Sequence, residues 1–306
     1  MNHNVFYHAD LDGVFSAARL IDYLIRSQVR LVDIKLYPVY SEWRGEKFNQ
    51  MVQEVNGKIY IVDYQYNSLA NLWIDHHNGE YQISKQIFSK PTDSAFELVD
   101  DFVRNHFHDH ANKVQNLMNA KEQIKKIDAT KYTSISEPFE EKPMNVMRLH
   151  SDRNNINFNS LVILTYMYEF NINKIYETYQ FDISYFKQNF KSALGTISKN
   201  LIIYNELGIV TSIPKSLDLK LIVFYANPQL KYALRVYNPK DGICEILISQ
   251  NPMVDNKIKL NEWIKDVPYV LEGGGHPTIA GGKIKEESIE DILTDAVLTF
   301  SSKKEE

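Results

Sequence analysis

The stretch Asn4-Val5-Phe6-Tyr7-His8-Ala9-Asp10-Leu11-Asp12-Gly13-Val14-Phe15 decides the fold. Residues 5–7 form an apolar run of strand length, and over 14–26 apolar residues recur at helical spacing. His8, Asp10 and Asp12 fall at the junction. In an α/β sheet the carboxyl end of a strand is where ligands bind. Alternate residues of extended backbone project to one side, so these three side chains can converge on one point. One imidazole and two carboxylates suit Mn²⁺ or Mg²⁺, with Zn²⁺ and Fe²⁺ as further options. Gly13 permits a sharp turn into the helix. The same residues also read as caps of the helix beginning near Val14, and this segment alone leaves the two readings level.

Working outward, strands are expected over 32–40, 58–63 and 71–75, separated by helix-length segments. That alternation predicts an α/β fold: an N-terminal domain with a mostly parallel sheet and helices on both faces. From 94 to 200 the periodicity is helical, with helices over 95–105, 114–127 and 161–179, giving a helical connector. Gly, Ser and Pro break the pattern over 208–219. β-rich runs follow at 220–225, 232–237 and 244–249, with a hairpin turn at Asn238-Pro239-Lys240-Asp241-Gly242. After a helical stretch at 260–265 and a closing helix through Phe300, the distal part reads as a smaller mixed α/β C-terminal domain. The expected boundaries are 1–205, including the helical segment, and 216–306.

Two further strand ends carry the same chemistry. The run 58–62 ends in Asp63, and 72–74 ends in Asp75-His76-His77. Caps do not account for His76 and His77, so coordination becomes the better reading of all three strand ends.

His-x-Asp-x-Asp-Gly at 8–13, the strand-terminal Asp63 and Asp75-His76-His77, in this order, resemble the first three motifs of the DHH phosphoesterase superfamily. Asp128, after a long helix, is the candidate for the fourth. Gly273-Gly274-Gly275-His276-Pro277, followed by Ala280-Gly281-Gly282, is similar to the Gly-Gly-Gly-His signature of the DHH-associated substrate domain. The resemblance implies that His8, Asp10 and Asp63 bind one metal, and that Asp12, Asp63, His76 and Asp128 bind a second. It further implies two cations about 4 Å apart, most simply Mn²⁺ with Mg²⁺ as the alternative, which acidify a water and clamp a phosphoryl group. Asp75 is then an orienting residue, and His77 assists the leaving group or touches the phosphate.

The glycine run reads as a loop whose amides approach an anion, with His276 as donor. Arg235 is a candidate phosphate partner, with a solvent-facing strand position as the competing reading. His106, His108 and His110 are read as surface residues. Among the 19 tyrosines, Tyr40, Tyr64 and Tyr66, with Trp43, lie near strand ends and are the candidates for base stacking.

With 44% hydrophobic and 24% charged residues, the composition is that of a globular protein. The net charge of -5 weighs against a broad duplex-binding face. Cys244, the one cysteine, cannot form an internal disulfide, and the start lacks a signal-peptide pattern, so a cytoplasmic location is expected. No apolar run approaches a bilayer-spanning length of about 20 residues, so no membrane partner is expected. The partner expected is a short RNA or small nucleotide, with a homodimer left open. The leading function is hydrolysis of short oligoribonucleotides, as in the nanoRNase branch. The alternative is a cyclic or linear dinucleotide. A RecJ-like exonuclease and an inert nucleotide sensor rank below both.

Overall fold

A computed structural model describes residues 1–77, 82–83, 87–151, 156–213, 221–237, 239–254 and 258–301. Within these, the side chains of residues 42, 82, 83, 212, 213 and 276 are outside the description. The chain divides into two compact units, Met1–Lys131 with Glu141–Phe181, and Tyr132–Glu140 with Asp182–Glu306.

The first unit contains β1 (His3–His8), α1 (Leu11–Arg26), β2 (Ile34–Val39), α2 (Glu46–Gln53), β3 (Lys58–Val62), β4 (Leu72–Asp75), β5 (Gln82–Ile83) and β6 (Ile87–Ser89). The helices α3 (Ala95–Arg104), α4 (Ala111–Asp128), α5 (Pro143–Ser151), α6 (Phe158–Met167) and α7 (Ile172–Tyr179) follow. Its sheet has the order β2-β1-β3-β4-β6-β5 and is parallel except for the β5/β6 pair. Val5, Phe6 and Tyr7 are fully buried, as a central strand covered on both faces requires. On one face Phe48 and Val52 of α2 pack on Phe6, Ile59, Ile61 and Trp73. On the other, α1 packs on β1 and β3, and α3 on β4.

The sheet order reverses direction at β1, whose neighbours are β2 and β3, so the ends of β1 and β3 form a topological switch point, where open α/β sheets leave a ligand crevice. Behind the site, fully buried Arg19 of α1 ties the helices together. Its guanidinium pairs with Asp22 (2.5 Å), Asp100 of α3 (3.0 Å) and Asp109 (2.5 Å) just before α4. That clamp fixes the helices whose ends carry Asp12 and Asp128.

The second unit contains α8 (Ile183–Asn200), β7 (Leu201–Tyr204), β8 (Leu207–Ile213), α9 (Ile222–Ala226), β9 (Tyr232–Tyr237), β10 (Ile243–Gln250), α10 (Leu260–Asp266), β11 (Val270–His276), β12 (Ile279–Lys285) and α11 (Ile289–Phe300). Its mixed sheet runs β11-β12-β10-β9-β8-β7. Leu260 and Ile264 of α10, with Ile292, Ala296 and Phe300 of α11, fill the core over Leu234, Ile246 and Ile248.

Four expectations are corrected. The helix expected over 161–179 is two helices, because Glu169 and Phe170 take positive φ (50° and 64°) and Asn171 caps α7 through the Lys174 amide. The strand expected over 220–225 is helix α9 in its described part, since so short an apolar run carries no period that separates strand from helix. Residues 201–213, placed around the domain break, pair as β7 and β8 of the distal sheet, and α8 belongs to that unit as well. The second compact unit therefore takes in Tyr132–Glu140 and everything from Asp182, rather than starting near 216. Finally, Gly273–Gly275 is not a loop: it lies in β11, paired with β12. A Cβ at Gly273 would press on Val270 and Ile264, so close packing of α10 on the strand requires a glycine there. The turn before β10 has Asp241 and Gly242 at positive φ (55° and 74°), as a tight hairpin demands, while Asn238 lies outside the described residues.

Candidate metal centre

His8 is the last residue of β1, and Asp10 caps α1 by accepting from the Gly13 amide at 2.9 Å. A side chain at position 13 would collide with the His8 carbonyl, so the glycine sets the close return of the chain. Asp12 follows in the first turn of α1, and its two oxygens accept from the Ala95 (2.7 Å) and Phe96 (2.8 Å) amides at the start of α3. Capping and convergence, alternatives in the sequence, coexist.

Asp63, one residue beyond β3, has φ 55°, a conformation disfavoured for a residue other than glycine. Its carboxylate is 1% exposed, and neither oxygen has a hydrogen-bond partner among the described residues. Oδ2 lies 3.8 Å from His8 Nδ1, and Oδ1 lies 3.5 Å from His76 Nε2 and 3.8 Å from His77 Nδ1. His76 Nε2 is also 3.6 Å from Asp12 and 3.3 Å from Asp128. Side chains therefore gather as His8/Asp10/Asp63, Asp12/His76/Asp128 and Asp63/His76/His77, each set with its ligand atoms within 4.8 Å. Spacings of 3.3–3.8 Å are long for hydrogen bonds but suit neighbouring ligands of one cation. A buried carboxylate without a donor between two such sets fits a bridging position.

The two imidazoles at the edges of the cluster are oriented by partners outside it. His76 Nδ1 is 3.1 Å from the Thr92 carbonyl, which can only accept, so Nε2 is the nitrogen aimed at the carboxylates. His8 Nε2 is 2.9 Å from Ser41 Oγ, leaving Nδ1 toward Asp10 (2.7 Å) and Asp63. His77 Nδ1 bonds Asp75 Oδ1 at 2.8 Å, and Asp75 is buried.

Without a cation the cluster is electrostatically overloaded. Burial, then the neighbouring Asp12 and Asp10, pushes Asp63 well above the usual carboxylate range. Burial and Asp12 push Asp128 up to about 8. Burial raises Asp12 as well. Burial opposes a charge on His76, yet Asp63, Asp12 and Asp128 together raise its pKa to about 11. Burial likewise opposes ionisation of Asp10, but His8 outweighs it and holds that carboxyl low. Protons are thus doing part of what a divalent ion would do.

In the distal unit Arg235 is fully buried on β9, with Nη2 donating to Ser249 Oγ at 3.1 Å, which removes the solvent-facing reading. Gly274 has open space where a side chain would stand, and the His276 side chain lies outside the described residues. Of the aromatic candidates, Tyr64 is 1% exposed and packs against Phe48, so it cannot stack on a base, whereas Tyr66 is 47% exposed. His106 and His110 are exposed, and His110 caps α4 and meets Glu169. Sequence reasoning missed Ser41, Thr92 and the α3 amides. Ser41 alone left a signal, a hydroxyl immediately after the strand expected over 32–40.

Residues 206–302 match the DHHA1 domain family. No curated protein matches the chain in sequence. Among solved structures, the pGpG-specific phosphodiesterase PggH from Vibrio cholerae superposes with TM-score 0.64 at 14% identity, covering 98% of this chain and 99% of that one. RecJ from Thermus thermophilus in complex with Mn²⁺ gives 0.62 at 10%, over 97% of this chain and 51% of that one. A DHH domain protein described as a member of the s1p family of ribosomal proteins gives 0.64 at 13%, over 98% and 87%. At such identities the likeness is one of fold, and it runs through both units. The chain thus carries a DHHA1 domain over residues 206–302, and its fold is that of the DHH-family phosphoesterases to which it is similar.

Proposed function

We propose that the protein is a two-metal phosphodiesterase that hydrolyses short oligoribonucleotides. The observation carrying this reading is Asp63, whose buried oxygens face two ligand sets and accept no hydrogen bond among the described residues. His8, Asp10 and Asp63 would hold one cation, and Asp12, Asp63, His76 and Asp128 the other. Mn²⁺ is the expected ion, which the Mn²⁺ complex of RecJ supports by analogy of fold. When bound, such a pair acidifies a water and neutralises charge on the phosphoryl oxygens.

The remaining work falls to the chain. Thr92 and Ser41 hold His76 and His8 in the ring orientations that aim a nitrogen at the carboxylates. Asp75 accepts from His77 Nδ1, so a second proton added to this ring would sit on Nε2, from which the imidazolium can pass it to the departing ester oxygen. In the distal unit, the Gly273–His276 strand is proposed to contact the substrate, with Gly274 as the point where nothing obstructs approach.

A linear or cyclic dinucleotide is the second reading. It is favoured by the pGpG-specific neighbour, which this chain matches over 99% of its length. The test is a Mn²⁺-supplemented panel of labelled RNA and DNA from dinucleotides to long single strands, with cyclic dinucleotides alongside. Preference for the shortest RNAs is expected. Tight binding of a dinucleotide with no cleavage of any substrate would replace the enzyme with a sensor.

A further inference from the structure

The distal sheet ends at β7, Leu201–Tyr204, and that edge stands bare. Ile202 and Ile203 are each 50% exposed and Tyr204 is 42% exposed, so the strand is uncovered on both faces. Edges of this kind recruit further strands unless proline, charge or a bulge blunts them. The edge strand β2 of the first sheet carries Lys35 and Pro38, and Asn159 Nδ2 donates to its Leu36 carbonyl at 3.3 Å. At the other edge of the distal sheet, β11 carries Glu272 and a bulge between Val270 and Glu272. Leu201-Ile202-Ile203-Tyr204 has none of these devices.

The backbone of β7 restricts how a strand can add. The two-residue turn Asn205-Glu206 makes Tyr204 and Leu207 the closing hydrogen-bonded pair of the β7/β8 hairpin. Bonded and non-bonded pairs alternate, so Ile202 also bonds toward β8, while Leu201 and Ile203 turn their polar groups to the open edge. Leu201 commits its N–H to the Ile197 carbonyl at the end of α8. Within β7 that leaves Ile203 as the residue offering both an N–H and a C=O outward. An antiparallel strand that satisfies both can be β7 of a second copy, with the two Ile203 residues exchanging bonds about a two-fold axis. In that register Ile202 stands opposite Tyr204 of the second copy, and Asn200 opposite its Glu206. Lys199, next to Asn200, is exposed and has no carboxylate partner among the described residues. Glu206 is exposed too, with only Lys231 beside it at 2.7 Å. The two-fold thus brings a free ammonium to an acidic turn at both ends of the junction.

We propose that β7 is a self-association edge: two copies of this chain join antiparallel through Ile203, and their six-stranded distal sheets become continuous. A second copy is the occupant because the one segment supplies the free backbone pair, the apolar side chains on both faces and the opposite charges at its two ends. Asn205 Nδ2 donates to the Ser301 carbonyl at 2.7 Å, which ties the hairpin tip to the end of α11 and presents the edge already ordered. No residue of the metal cluster takes part, so the assignment goes beyond the phosphodiesterase reading and does not rest on it.

The test is sedimentation equilibrium of the full chain over a wide range of concentrations. The wild type should dimerise. Ile203→Pro removes only the outward N–H, a change that an edge position tolerates, so this variant should keep the wild-type circular dichroism and sediment as a monomer. Ile203→Lys leaves the backbone intact and should also be monomeric, which decides the matter if the proline variant does not fold. Lys199→Glu sets like charges together at both ends and should weaken the dimer about tenfold, and Lys199→Glu/Glu206→Lys should recover most of that loss. A wild type that stays monomeric throughout leaves β7 to a strand from a different protein and overturns the proposal. A dimer that survives in both Ile203 variants lies on another surface and overturns it equally, and a double exchange that recovers nothing overturns the register.

Discussion

The Ala95 amide donates to Oδ2 of Asp12 at 2.7 Å, so an acidic residue of the first motif is also the anchor of α3. The Phe96 amide occupies its other oxygen. Asparagine retains one acceptor at this position and alanine none. Asp12→Ala should therefore be less stable than Asp12→Asn by about 1 kcal/mol in metal-free protein, read as a lower Tm. Equal melting of the two variants would mean that α3 does not depend on this contact.

Asp128 has no such tie among the described residues, and its raised pKa makes ionisation costly in the fold. The sign follows from its displacement above the unfolded value. Stability is lost as pH climbs from about 4, where the unfolded carboxyl ionises, to about 8, where the folded one does. His76, raised to about 11, contributes stability that is complete below about 6.5 and fades above it, so the two slopes share a sign. In EDTA, Asp128→Asn should flatten the first slope and melt higher than the wild type at pH 8, while binding Mn²⁺ more weakly. A variant that melts lower at pH 8 would contradict the charge overload described for the cluster.

Loading a cation must expel the proton that His76 holds at neutral pH. Mn²⁺ binding at pH 7 should release at least about one proton per chain and strengthen as pH rises. Calorimetry in two buffers of different ionisation enthalpy counts the protons directly. A count of zero would remove His76 from the ligand set.

Asp75 touches His77 and is absent from every candidate ligand set. Asp75→Asn should lower kcat about 10²-fold or more by disturbing the tautomer of His77, with Mn²⁺ stoichiometry unchanged. Loss of a bound ion in this variant would instead make Asp75 part of the metal centre.

Much of this site could be read from the chain because three strands of the first sheet, β1, β3 and β4, are largely apolar runs that stop at an acidic or imidazole residue, as at Tyr7-His8, Val62-Asp63 and Ile74-Asp75. What escaped was decided at long range. The break between α6 and α7 falls on Phe170, which takes a left-handed backbone to stack on Phe96 at 5.8 Å and approach Phe15 at 6.4 Å. No local pattern encodes that trade. The glycines at 273–275 suggested a loop by propensity, yet Gly273 is dictated by how closely Ile264 approaches. Thr92 acts on His76 through its carbonyl, which every residue possesses, and so left no mark in the sequence.

The dual use of Asp12 also constrains how this scaffold can change over evolutionary time. A lineage drifting toward a silent nucleotide receptor could discard Asp128 or His77 first, since neither holds up a helix through its side chain. Asp12 would be among the last to go. Descendants that have lost catalysis should therefore still carry the second aspartate of the first motif, and its survival in a sequence is a poor guide to whether that protein still cuts.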